Sequence, residues 1–124
     1  MRQSYTAVID RPIGYQDRYG NNYPINYDYI PNLIGGDGEW QDVYIISENI
    51  SAPLEVFEGE LVAISHRADD VETKWILITA GELVTYDQIK QATHFLEQYF
   101  TSTIEYYRKE EYYDFSITNC IRFA

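Results

Sequence analysis

The stretch from Tyr23 to Ile46, YPINYDYIPNLIGGDGEWQDVYII, constrains the fold more than any other part of the sequence. It carries Pro24 and Pro31, breaks at Gly35-Gly36, and then sets Asp37, Glu39 and Asp42 in one tight turn. The turn runs directly into the apolar run Val43 to Ile46, which reads as a buried strand. Carboxylates at n, n+2 and n+5 can converge on a cation where Gly38 lets the backbone fold back. On loop chemistry alone, such a turn is more often a solvated connector than a cation site.

A second acidic turn, Arg67 to Thr73 (RADDVET), holds Asp69, Asp70 and Glu72. It separates the apolar-rich runs Glu60 to His66 and Lys74 to Thr79, which together read as a hairpin. KWILIT is apolar on both faces and is expected to be a central strand. Tyr5 to Asp10 reads as the first strand, ended by Arg11-Pro12. Leu54 to Phe57 is expected to be a short strand or a turn at the side of a barrel, with Glu58-Gly59 turning the chain.

Thr85 or Asp87 can cap a helix beginning near Tyr86. Ile89, Ala92, Leu96 and Tyr99 form an amphipathic stripe, widened by Phe95, Phe100 and Ile104. On this reading the helix runs to about Glu110, and Tyr112 to Phe123 forms a last strand pair. Short strands with one C-terminal helix predict a mainly β (α+β) fold, a small OB-like barrel. The 124 residues suffice for one domain with its own core. Residues 108–124 are set apart as a C-terminal extension of unknown role.

The formal net charge is −11, with no basic patch, which argues against nucleic-acid partners. An anionic substrate would need metal cations to approach such a surface. Thirteen tyrosines are present, five of them between Tyr15 and Tyr29. They can roof a small core or point hydroxyls into a polar cleft. Cys120 is the only cysteine, so there is no intrachain disulfide, and no Cys/His cluster suggests zinc. No apolar run has the length of a signal peptide or membrane span, so a cytoplasmic location is expected.

The tyrosine element and the acidic turn together resemble the soluble family I inorganic pyrophosphatases. That family carries YPxNYG, then ten residues from its last Tyr to the first Asp of DGDPxD. Here YPINY ends at Tyr27, Asp37 lies ten residues on, and the turn reads DGEWQD. Glu72-Thr73-Lys74 is similar to the family's D-x-K, and His94 to Phe100 (HFLEQYF) to its HFxExYK helix. The resemblance covers about residues 5–100 and leaves out the tail.

The resemblance implies a closed five-stranded barrel and two-metal hydrolysis of inorganic diphosphate. Asp37, Glu39, Asp42, Asp70 and Glu72 would hold Mg²⁺, with Mn²⁺ as the alternative. Glu39, Asp42 and Tyr27 would be catalytic, Glu39 helping to deprotonate the water. Arg11, Lys74 and Tyr99 would bind phosphate. Arg18 and Arg67 are further cation candidates, each expected at the surface rather than in the site, and His94 and Glu97 are expected on the helix surface or in packing. The implied partner is a small-molecule diphosphate, and a homo-oligomer is left open.

Several positions depart from the family pattern. Phe100 stands at the helix lysine, Glu39 at an Asp, and Asp28 at the Gly of NYG, where it adds negative charge beside Tyr27 and would meet any demand for positive φ less freely than Gly. The family's K-x-E element has no counterpart in these residues. Two alternatives therefore stand beside the diphosphatase: hydrolysis of another phosphoanhydride such as a nucleotide, and a non-catalytic metal-binding, phosphate-binding or interaction protein.

Overall fold

The computed structural model describes residues 3–68 and 71–107. Six strands and one helix follow in the order β1 (Ser4–Arg11), β2 (Asn26–Ile34), β3 (Trp40–Ile45), β4 (Val56–Arg67), β5 (Thr73–Ile78), α1 (Tyr86–Glu97) and β6 (Ser102–Tyr106). The sheet order is β1-β2-β3-β5-β4-β6, and a further β1–β4 pairing closes the first five strands into a barrel. This is the expected OB-like outline. Among the described residues only β3–β5 is parallel; the other pairings are antiparallel. The KWILIT strand is central, flanked by β3 and β4, because both of its faces are apolar enough to be covered.

Alternation along β3 splits the core in two. Val43 and Ile45 join Ala7, Ile9, Ile30, Phe57 and Leu77 inside the barrel. Tyr44 and Ile46 join Tyr27, Val62, Ile76, Ile78 and, from α1, Ile89, in a layer beneath the helix. Thr85 caps α1 in a capping box with Gln88, as its hydroxyl and position allow.

Four features depart from the sequence reading. First, β2 is a nine-residue strand running through Pro31, where no strand was expected. The proline falls in a register irregularity between Ile30 and Ile34, where Asn32 takes φ 67° and the ladder can spare a donor. Second, Glu58-Gly59 does not turn the chain, because β4 runs straight through it. Gly59 permits close approach instead: a Cβ there would lie 2.3 Å from the Ile78 carbonyl oxygen. Third, α1 ends at Glu97 rather than near Glu110, and Ile104 sits in β6. The segment Thr101 to Tyr107 is rich in β-branched and aromatic residues, which favour pairing with β4. Fourth, Asp28 lies in β2 without positive φ, so it needs no glycine-like freedom. The expected strand pair from Tyr112 to Phe123 lies outside the described residues. Among the described residues, no helix is long and apolar enough to cross a membrane.

Candidate active site

The two strands that follow the acidic turns lie side by side. In the parallel β3–β5 pairing Asp42 stands opposite Lys74, and Tyr27 reaches the same face from β2, opposite Tyr44. Lys74 Nζ donates to Asp42 Oδ2 at 2.5 Å and to Tyr27 Oη at 2.8 Å. It also donates to Glu72 Oε2. The Lys74 side chain is 7% exposed, while Asp42 and Glu72 keep an edge open to solvent. Arg11 stands opposite Tyr27 across β1–β2. Its guanidinium carbon lies 5.6 Å from the Tyr27 ring centre, and its Nε is 3.7 Å from Asp28 Oδ2.

The electrostatics follow from this crowding. Burial alone would lower the Lys74 pKa, but Tyr27, Asp42 and Glu72 outweigh it and hold the ammonium charged. Burial pushes the Tyr27 phenol well above its ordinary value, so it remains a protonated donor. The Glu72 carboxyl is raised, first by its hydrogen bond with Asp42 and then by burial. Two acids that share one cation and crowd each other are a site that a divalent ion would relieve. Burial also lifts Asp28 to about 6, against the opposing pull of Arg11.

The first acidic turn is built as its glycines suggest. Gly38 takes φ 85°, Gly35 N–H donates to the Glu39 carbonyl at 2.7 Å, and Glu39 N–H donates to Asp37 Oδ1 at 3.0 Å. It is held against the second turn at two points. Gly36 comes so close to Val71 that a Cβ would lie 2.2 Å from its carbonyl oxygen. The buried Gln41 amide donates to the Thr73 carbonyl at 2.7 Å and the Asp42 carbonyl at 3.0 Å.

Arg11, Tyr27, Asp42, Glu72 and Lys74 are thus brought together. Asp37 and Glu39 are exposed on the neighbouring turn. Among the described residues, no group of three or more acidic, histidine or cysteine side chains converges as a metal cage. The convergence expected of Asp37, Glu39 and Asp42 is therefore absent, because Asp42 turns to Lys74 while the turn opens to solvent. Asp70 lies outside the described residues. Tyr99 is 63% exposed beyond the end of α1, and its hydroxyl donates to Asn21 Oδ1 at 3.2 Å rather than joining the Lys74 group.

The available donors still fit Mg²⁺. They are hard carboxylate oxygens, and the Lys74 ammonium already occupies the gap between Asp42 and Glu72 as a cation.

Arg67, expected at the surface, is instead buried in a pair with Glu97 that sequence reasoning did not find. Arg67 Nη2 and Nε donate to the two Glu97 oxygens at 2.8 and 3.2 Å, and both side chains are less than a tenth exposed. Tyr44 Oη donates to Glu97 at 2.6 Å and Ser102 Oγ at 2.7 Å, while the Arg67 guanidinium lies 3.7 Å from the Phe100 ring centre. The signal available was spacing. Glu97 follows the buried Ile89 and Thr93 at steps of four, which puts it on the covered face of α1.

Residues 9–120 match a family model described as inorganic pyrophosphatase, a range that reaches into the C-terminal tail. The chain is 31% identical over 91 residues to an inorganic pyrophosphatase of Pseudomonas aeruginosa, a match spanning 62% of this chain and 52% of that protein. It is 30% identical over 70 residues to one from Helicobacter pylori, spanning 56% of this chain and 38% of that protein. The chain thus spans about half the length of these curated relatives, or less. Among solved structures, an inorganic pyrophosphatase from Ehrlichia chaffeensis superposes with a TM-score of 0.64 at 16% identity, covering 84% of this chain and 86% of that one. A Helicobacter pylori structure gives 0.60 at 19% identity, covering 88% and 86%. At these identities the structural likeness speaks for the fold.

Proposed function

Because this chain belongs to the inorganic pyrophosphatase family, we propose that it hydrolyses inorganic diphosphate to two phosphates in a metal-dependent reaction, in the cytoplasm. The observation that carries the reading is the Lys74 ammonium, bonded at once to Tyr27 of β2, Asp42 of β3 and Glu72 at the end of the second acidic turn. Asp42 and Glu72, with Asp37, Glu39 and Asp70 from the two turns, would hold Mg²⁺ ions. Bound there, the ions would supply charge neutralisation and lower the pKa of water.

The chain's own residues do the rest. Water attacks one phosphorus, the bridging P–O bond breaks, and the departing phosphate takes the bridging oxygen and its electron pair. Glu39, exposed on the turn, accepts the proton of the attacking water. Lys74 and Arg11 offset charge on the phosphate oxygens, and the Tyr27 hydroxyl, kept protonated by burial, donates to one of them. Tyr99 would have to release Asn21 to take part, so it stays outside this set.

The test is phosphate release from inorganic diphosphate near neutral pH with Mg²⁺, Mn²⁺ or a chelator, comparing the protein with Asp42→Asn. Release should require metal and fall by at least ~10²-fold in the variant while the melting temperature stays within a few degrees. Absence of release with every metal would overturn the proposal. Nucleoside triphosphates added as competitors separate a dedicated diphosphatase from a broader phosphoanhydride hydrolase.

A further inference from the structure

Both cations of the candidate site already have anions, and that of Arg11 lies outside the two acidic turns. Arg11 Nε lies 3.7 Å from Asp28 Oδ2, and the guanidinium leans over the Tyr27 ring. The exposures are unequal: the Arg11 side chain is 44% exposed, whereas that of Asp28 is 13% exposed. The cation therefore faces solvent, where a phosphate would arrive, and the acid sits behind it.

Asp28 owes its place to strand alternation. Tyr27 faces the helix layer with Tyr44, while Asp28 and Ile30 face the other way, Ile30 into the barrel core. The bulge in β1 between Val8 and Arg11 swings Arg11 across to meet Tyr27 and Asp28. A carboxylate buried next to apolar neighbours is costly, and its raised pKa reflects that cost. An asparagine or a small residue would fill the same strand position without it. The charged side chains gathered here are Arg11 and Lys74 against Asp10, Asp28, Asp42 and Glu72. Without an added cation, this collection repels a phosphate.

We propose that Asp28 is a specificity-determining residue acting through Arg11: it occupies the guanidinium as an internal anion, competes with the incoming phosphate group for it, and so restricts the site to metal-neutralised diphosphate. The inference rests on the diphosphatase reading for its substrate, and on the Arg11–Asp28 geometry for its content. An arriving phosphate must displace or share a carboxylate at salt-bridge distance, which weakens anion capture by about five- to tenfold for a half-exposed cation. Substrate arriving with bound metal carries less charge and suffers less from the competition.

The test reads phosphate binding rather than turnover. The full chain and its Asp28→Asn, Asp28→Glu, Arg11→Gln and Arg11→Gln/Asp28→Asn variants are titrated with inorganic phosphate in Mg²⁺ by calorimetry. Asp28→Asn should bind phosphate about five- to tenfold more tightly. Asp28→Glu, which restores the charge, should return towards the wild-type affinity. In the Arg11→Gln background the gain from Asp28→Asn should vanish. In turnover, Asp28→Asn should lower KM without raising kcat. Unchanged or weaker phosphate binding by Asp28→Asn would overturn the inference, and so would a gain that survives Arg11→Gln. Failure of both the unmodified chain and Asp28→Asn to bind phosphate would overturn it too. If Asp28→Asn does not fold, Asp28→Ser takes its place under the same criteria. A chain that binds phosphate as stated but hydrolyses nothing would sink the diphosphatase reading and leave this one standing.

Discussion

Glu97 is a nearly buried acid held on both of its oxygens. Its two oxygens receive a forked pair of bonds from Arg67 and further bonds from Tyr44 and Ser102. The pair lies behind the site, since the Tyr44 ring sits 5.0 Å from that of Tyr27. Burial tends to raise the Glu97 pKa, but the bonds from Arg67, Tyr44 and Ser102 outweigh it and leave the carboxyl below its ordinary value of 4.5. Removing the charge would strand a buried guanidinium, so Glu97→Gln should cost about 3 kcal/mol by chemical denaturation at pH 7. The sign with pH follows from the lowered pKa. Below the ordinary value the unfolded chain binds more protons than the folded one, so this stabilisation is complete above about 4.5 and is lost as pH falls through the folded value. Denaturation curves of protein and variant should therefore converge on acidification; a gap that stays constant into strong acid would show that the ion pair is not its source.

At the scale of elements, the two acidic turns are held together by backbone contact rather than by their acids. Gly36 lies against the Val71 carbonyl with no room for a methyl group. Gly36→Ala should push the turns apart by an ångström or so and leave both cores intact. Diphosphate hydrolysis should fall by ~10²-fold with little change in melting temperature. A variant that keeps full activity would show that the second turn does not position the first. Both turns, the strands after them and the Thr85 cap were legible in the sequence, because each is written in consecutive residues. Strand β2 was not, because Pro31 reads as a breaker until the bulge that accommodates it is seen. The end of α1 was hidden because no Gly or Pro marks it. Arg67 and Glu97, thirty positions apart in the chain, meet only through the docking of α1 on β4. Tyr27, Asp42, Glu72 and Lys74, which the resemblance names, lie side by side in the structure, but the resemblance could not show that the lysine itself fills the gap between the two acids.

The whole molecule carries 20 acidic residues against 9 lysines and arginines, and several of its cations are already engaged: Lys74 by Asp42 and Glu72, Arg67 by Glu97, Arg11 by Asp28. Folding compresses this excess, and at one end of the barrel it sets Asp37 and Glu39 on a turn fixed beside Asp42 and Glu72. Two kinds of relief are physically distinct. Added NaCl screens all exposed charges alike and favours the compact state modestly. A divalent ion that binds only the folded chain adds a linkage contribution of about 2.7 kcal/mol at a hundred times its dissociation constant. For a domain of this size that corresponds to a rise in melting temperature of roughly 10 °C or more. Mg²⁺ should therefore raise the melting temperature well beyond NaCl at matched ionic strength. The double variant Asp42→Asn/Glu72→Gln should keep the response to NaCl and lose the excess response to Mg²⁺. Coincident Mg²⁺ and NaCl curves for the unmodified protein would mean that these acids are a solvated surface rather than a metal site. The comparison needs no substrate, so it separates metal binding from catalysis in a chain with only 9 lysines and arginines.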